Sequence, residues 1–182
     1  MLFDFIGDKL TNTSNNHYPT FEYLYPALIK LTGVTKGLVL DVGCGFCPLL
    51  DLPDRNYEVV CVDKTLNMLK KAKMKRGHNL ILGDAENLPF RNDCFETVIS
   101  NNLLYWLKSI ERVVEEMIRV VKPDMSILST TLDPLLLKKM ENAMMKKGLH
   151  DVKNNIAYVN DDSFFKGLSF RYIKGIKLKT HS

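Results

Sequence analysis

Long apolar runs are missing from this chain. None approaches the roughly 20 residues that a membrane-spanning helix needs, so no helical span is expected. The opening residues, Met-Leu-Phe-Asp-Phe-Ile-Gly-Asp-Lys, carry early acids and lack a basic leader. They do not read as a signal peptide, and a cytoplasmic location is the default expectation. Cysteine is scarce: Cys44, Cys47, Cys61 and Cys94 are the four present. Cys44 and Cys47 have the Cys-x-x-Cys spacing of a redox pair or of half a zinc site. No second pair of similar spacing completes a zinc site, so no metal is expected. Cys44 also lies in a glycine loop, where a small residue is wanted anyway.

Internal repeats and low-complexity linkers are absent too, and the formal charge is a mild +4. Basic residues cluster at Lys64, Lys70, Lys71, Lys73, Lys75 and Arg76, and again at Lys166, Arg171, Lys174, Lys177 and Lys179. Aromatic side chains for base stacking do not interleave with the first cluster. Solvated faces of a helix and an edge strand account for both better than a nucleic-acid surface does. With 46% hydrophobic and 25% charged residues in 182, the composition suits one soluble domain with a sizeable core.

What is present is organised around Leu38-Val-Leu-Asp-Val-Gly-Cys-Gly-Phe-Cys-Pro48. The apolar run reads as a buried strand, and it ends in an acid followed by two glycines. Glycine lets a backbone turn sharply and approach a ligand closely. A strand emptying into such a loop builds a site at its carboxyl end. Before it, Phe21, Leu24, Tyr25, Leu28 and Leu31 recur at helical spacing, and Gly33 ends that helix. After it, strands are expected at 57–62, 79–82, 95–100 and 125–131, with helices at 65–76, 109–121 and 134–147. Two further strands, near 152–159 and 170–179, finish the chain. Alternating strands and helices predict an α/β fold: a doubly wound, mostly parallel sheet with helices on both faces.

Three acids fall into register in that scheme. Asp41, Asp63 and Asp84 follow successive strands at separations of 22 and 21 residues, one strand–helix unit each. All three reach the same sheet edge, where ligands of doubly wound folds bind. A carboxylate after the second strand can accept both hydroxyls of a ribose, and one after the third can accept from an adenine amino group. A nicotinamide enzyme would want Gly-x-Gly-x-x-Gly without the leading acid, whereas Pro48 occupies the third glycine's place.

At these residues the sequence resembles the class I S-adenosylmethionine-dependent methyltransferases, closest to the branch with quinone-biosynthesis and many small-molecule enzymes. The carrying segments are Val-Leu-Asp-Val-Gly-Cys-Gly (39–45), Val-Cys-Val-Asp (60–63), Gly-Asp-Ala-Glu-Asn-Leu-Pro-Phe (83–90), Phe-Glu-Thr-Val-Ile-Ser (95–100) and Arg-Val-Val-Lys-Pro (119–123). The resemblance implies a seven-stranded Rossmann-like sheet whose last strand is antiparallel. It implies one methyltransferase domain over 1–182: an N-terminal helical lid (1–36), a cofactor-binding core (37–131), and a C-terminal helix with two strands (132–182). It places Asp41, Gly43, Cys44 and Gly45 at the methionine end of S-adenosylmethionine, with S-adenosylhomocysteine the product. Asp63, next to Lys64, would hold the ribose, Asp84 and Ala85 would face the adenine, and Asn101 would lie by the sulfonium.

The chain departs from the family where Cys47 replaces a third glycine and Phe46-Cys47-Pro48 adds bulk. A cysteine with negative φ would still present its N–H there. The turn Lys-Pro-Asp-Met (122–125) also differs, at the opposite sheet edge. Ser100-Asn101-Asn102-Leu103 lacks the Asn/Asp-Pro-Pro-Tyr pattern of amide and nucleobase amino methyltransferases, which disfavours those acceptors. If the acceptor needs a general base, the candidates are His17, Tyr18, Tyr105 and Asp133; His78, His150 and His181 sit in the wrong loop or the tail. A small-molecule acceptor is the first expectation. An RNA or protein methyltransferase, or a silent binding domain, is the alternative, and oligomeric state is left open.

Overall fold

The computed structural model describes residues 19–52, 55–76, 79–158 and 169–179. His17, Tyr18, His78, His181 and residues 160–168 lie outside them. Seven strands form one sheet: β1 (Gly37–Val42), β2 (Tyr57–Asp63), β3 (Leu80–Leu82), β4 (Phe95–Asn101), β5 (Val121–Thr130), β6 (His150–Tyr158) and β7 (Ser169–Ile176). Their order is β3-β2-β1-β4-β5-β7-β6. β7 runs antiparallel to both neighbours, whereas the pairs among β1 to β5 are parallel. The order reverses beside β1, which puts the glycine loop at the switch point.

Strand alternation divides the core. Leu40 and Val42 of β1 face one layer, built with Val113, Val114 and Met117 of α3 (Ile110–Val120) and Leu137, Met140 and Met144 of α4 (Pro134–Lys146). Val39 faces the other, with Tyr25 and Leu28 of α1 (Pro19–Thr32) and Leu69 and Ala72 of α2 (Leu66–Arg76). Asp41 shares the parity of Val39, so the first acid is driven into an apolar layer under α1 rather than out to solvent. A fully buried leucine such as Leu28 contributes about 2 kcal/mol.

Caps define the helices. Ser109 Oγ accepts from Arg112 N at α3, and Asp133 Oδ1 accepts from Leu135 N and Leu136 N at α4. One boundary differs from expectation. β5 begins at Val121 rather than Met125, because Val121 pairs with Phe95 before a bulge brings Ser126 opposite Thr97. Pro123 therefore lies in the irregular opening of the strand, just past the end of α3.

Candidate active site

A cavity of about 200 Å³ opens at the carboxyl ends of β1, β2, β3 and β4. Its wall includes Gly43, Cys44, Gly45, Asp63, Lys64, Asp84, Ala85 and Asn101, so eight of the nine residues expected around the cofactor meet there. The ninth, Asp41, lies behind it.

The glycine loop is shaped by close packing on one side and open space on the other. Gly43 has φ +69°, and a Cβ there would stand 2.5 Å from Leu103 Cδ1. Its N–H and that of Cys44 both donate to Val62 O, at 2.8 and 3.1 Å, which ties the loop to the end of β2. Gly45 has φ +56°, and nothing lies within 4 Å of the position a Cβ would take. A side chain at Gly45 would therefore project into the cavity mouth rather than into protein.

Asp63 closes the adjoining corner. Its Oδ2 accepts from Gly45 N at 2.9 Å and its Oδ1 from Thr65 N at 2.8 Å. The two backbone donors fix the carboxylate plane while each oxygen keeps a free lone pair. Such a held carboxylate can accept a pair of vicinal hydroxyls. Asp84 is exposed at the next corner, and its Oδ1 accepts from Glu86 N at 2.9 Å. Ala85 beside it is buried.

The loop carrying Asp84 and Ala85 is clamped from α3. Buried Glu116 accepts from Leu88 N at 2.7 Å and from the Arg119 guanidinium. Arg119 in turn donates to Leu88 O, Phe90 O and Asn92 Oδ1. The Arg119-Val-Val-Lys-Pro123 segment thus fixes the loop after β3, and the hydrogen bonds from Arg119 hold the Glu116 carboxyl below its ordinary range.

Asp41 is fully buried, and neither carboxylate oxygen has a hydrogen-bond partner. Burial raises its pKa to about 7; the nearby Tyr25 hydroxyl pulls it down without reaching hydrogen-bond geometry, and the Asp63 charge pushes it up. Tyr25 and Cys44, both on the cavity wall, stand between Asp41 and the open space. Burial, then the charge of Asp41, raises both of their pKa values; Asn101 opposes this at Tyr25. Asn101 itself is buried and accepts from Thr130 Oγ1. An unpartnered buried carboxyl behind a polar wall is a position that a cationic group would satisfy.

Other wall residues give no sign of this role in the sequence. Tyr25 carries only the signal of a hydrophobic helical stripe, and Met68, Leu103 and Leu107 carry no polar signal at all. Trp106 lines the cavity, and its carbonyl accepts from Lys64 Nζ at 3.4 Å. Two base candidates do not reach the wall. Tyr105 is 46% exposed, and Asp133 is engaged in capping α4.

The cysteines group differently from the Cys-x-x-Cys spacing. Cys47 lies against Cys61 of β2, with Cα atoms 6.2 Å apart. Cys44 remains a free, buried thiol, and the three sulfurs lie within 4.8 Å of one another. Spacing along the chain does not reveal this cluster, because Cys61 reaches it through space, from the neighbouring strand. Cys47 has φ +58°, not the negative φ that would present its N–H to a ligand, and that N–H turns back to Cys44 O at 2.8 Å. That N–H is spent inside the loop, while Phe46 and Pro48 line the cavity. Left-handed backbone at a residue with a Cβ costs ~1–2 kcal/mol.

Residues 40–128 match the model of the methyltransferase domain family. The chain is 29% identical over 130 residues to a malonyl-[acyl-carrier protein] O-methyltransferase of Legionella pneumophila, covering 68% of this chain and 44% of that protein. It spans less than half the length of the curated relatives of that name that it matches. Among solved structures, a SAM-dependent methyltransferase of Thermotoga maritima superposes with TM-score 0.73 at 18% identity, covering 95% of this chain and 99% of that one. The [4+2]-cyclase SpnF superposes with TM-score 0.69 at 16% identity, covering 87% and 82%. At such identities the likeness shows the fold alone, and the cyclase illustrates that one fold hosts more than one chemistry.

Proposed function

We propose that this relative of the class I methyltransferases transfers a methyl group from S-adenosylmethionine to a small-molecule acceptor, leaving S-adenosylhomocysteine. The observation that carries the proposal is Asp63, pinned by Gly45 N and Thr65 N at the cavity corner where a ribose would present two hydroxyls. Asp84 and Ala85 would face the adenine. The space at Gly45 would take the methionyl chain, and buried Asp41 would receive its ammonium through the Tyr25–Cys44 wall. Asn101, held by Thr130, would border the sulfonium.

The bound cofactor supplies the reactive methyl group, on sulfur. This chain's residues bind, orient and exclude water around a displacement whose three atoms must stand in line. An acceptor already ionised at neutral pH would need no general base. A carboxylate fits, and the relatives named as malonyl-[acyl-carrier protein] O-methyltransferases support trying carboxylates first. The test is transfer of labelled methyl from S-adenosylmethionine to a panel of small carboxylic acids and acyl thioesters, beside phenols, amines and RNA. Base-labile label on a carboxylate is the expected result. Label on RNA alone would overturn the small-molecule reading, and no label on any acceptor would overturn methyl transfer.

A further inference from the structure

Three buried sulfurs beside a cofactor loop have a use that the methyl-transfer reading leaves unexplained. Cys47 and Cys61 are fully buried and Cys44 is 4% exposed. Cys44 and Cys47 lie on the loop after β1, and Cys61 lies in the middle of β2. A Cys47–Cys61 bond would span 14 residues of sequence, a segment that holds the rest of the glycine loop and the short 3₁₀ turn Pro48–Asp51. The Cα separation of 6.2 Å falls inside the usual range of about 4.4–6.8 Å for a bridged pair. Such a bond would anchor the loop's left-handed residue to the sheet, two positions from Gly45 and its contact with Asp63.

We propose that Cys47 and Cys61 form a thiol–disulfide redox site coupled to occupancy of the cofactor cavity. The proposal rests on the S-adenosylmethionine reading of that cavity. In the oxidised form the bridge holds the loop as seen, with Gly45 N on Asp63. In the reduced form Cys47 can leave its left-handed conformation, and the loop loses that anchor. Oxidation balances with a low-molecular-weight disulfide such as oxidised glutathione. A protein thiolate attacks one of its sulfurs, its S–S bond breaks, and one glutathione thiol leaves. The second protein thiol, as thiolate, then attacks the mixed disulfide, the Cys47–Cys61 bond forms, and the second glutathione leaves. Reduction by a dithiol runs the same steps backwards. Because both sulfurs are shielded, exchange requires the loop to open, and a ligand that holds the loop closed slows it. Linkage makes the coupling reciprocal: whatever factor the bridge adds to cofactor affinity, the cofactor adds to bridge stability.

The test uses the whole protein, equilibrated with oxidised glutathione or with dithiothreitol, alkylated under denaturing conditions and mapped by peptide mass. The oxidised sample is expected to lose two alkylation sites, with a peptide linked through Cys47 and Cys61 and with Cys44 and Cys94 alkylated. Calorimetry of the two forms should show S-adenosylhomocysteine bound about tenfold more tightly when the bridge is formed, the order expected from releasing one left-handed residue. Saturating S-adenosylhomocysteine should slow reduction by dithiothreitol by a similar factor. The Cys61→Ala variant should bind like the reduced protein whatever the oxidant; should it fail to fold, the wild-type pair of measurements decides alone. Four alkylated cysteines after oxidation, or a Cys44–Cys47 link, would overturn the site. One equivalent of zinc held by the reduced protein with three thiols protected would overturn it in favour of a thiolate metal site. Equal affinity in the two redox forms would overturn the coupling alone, whereas no binding by either form would overturn the cofactor reading with it.

Discussion

Replacing Asp41 by asparagine removes one charge from a position where the fold has no partner for it. The free carboxyl titrates near pH 7 because burial opposes ionisation. If the cofactor's ammonium pairs with the ionised form, binding below pH 7 must first expel a proton. Each pH unit below 7 then costs about 1.4 kcal/mol, or about tenfold in affinity. The wild-type dissociation constant for S-adenosylhomocysteine is expected to fall about fivefold from pH 6 to pH 7 and about tenfold from pH 6 to pH 8, levelling off there. Asp41→Asn should bind about 10- to 100-fold more weakly at pH 8, the loss of one charge-assisted hydrogen bond of about 1.5–3 kcal/mol, with the pH slope gone. Stability moves the other way. With its native pKa raised from 3.8 to about 7, Asp41 keeps its proton in the folded state while the unfolded chain loses it, so wild-type stability falls as pH rises through that window. Three pH units at about 1.4 kcal/mol each set a ceiling of about 4 kcal/mol, recovered in the apo Asn variant at pH 8 less the cost of burying an amide. Calorimetric titrations and melts from pH 5.5 to 8.5 read both effects. A flat wild-type affinity profile, or an Asn variant that keeps the slope, would refute the reasoning.

Arg119→Ala leaves the buried Glu116 carboxylate without its guanidinium partner and strips hydrogen bonds from Leu88 O and Phe90 O. A loss of about 2–3 kcal/mol is expected in denaturant titration, discounted because the arginine is partly exposed. Wild-type Glu116, with its pKa lowered, contributes stability above its unfolded pKa that disappears as pH falls through the folded value; the variant should lose that acid dependence. Gly43→Ala forces a Cβ against Leu103 at a positive φ and should destabilise by about 2 kcal/mol, with weaker S-adenosylhomocysteine binding measured by calorimetry. Asp133→Ala removes the α4 cap and should cost about 1 kcal/mol of stability in thermal melts while leaving the pH profile of turnover unchanged.

Much of this site could be read along the chain because strand ends impose order. Asp63 and Asp84 end or follow apolar strands, so parallel pairing suffices to bring them to one edge, whereas Asp41 lies one residue inside β1 and is buried behind the cavity. The role of Tyr25 could not be read the same way. Its spacing with Leu24 and Leu28 signals burial, but which strand residue a helix face meets is set by crossover geometry, and that residue is Asp41. Cys61 was hidden for a related reason: its partner is a neighbour across β1 and β2, not along the chain. Cys47 shows the limit of local rules. A non-glycine residue before proline is not expected in the left-handed region, yet Cys47 has φ +58° where it meets Cys61 of the neighbouring strand. The irregular start of β5 depends on a bulge against Phe95 that no periodicity reports.

The central claim is that the cavity between Gly45, Asp63 and Asp84 holds S-adenosylmethionine, and one measurement tests it most directly. Calorimetry of the purified protein with S-adenosylhomocysteine, compared with Asp63→Ala, is predicted to show one site in the parent. The variant, lacking the carboxylate held by Gly45 N and Thr65 N, should bind about 100-fold more weakly. Absence of binding by the parent, or equal binding by the two proteins, would contradict the account.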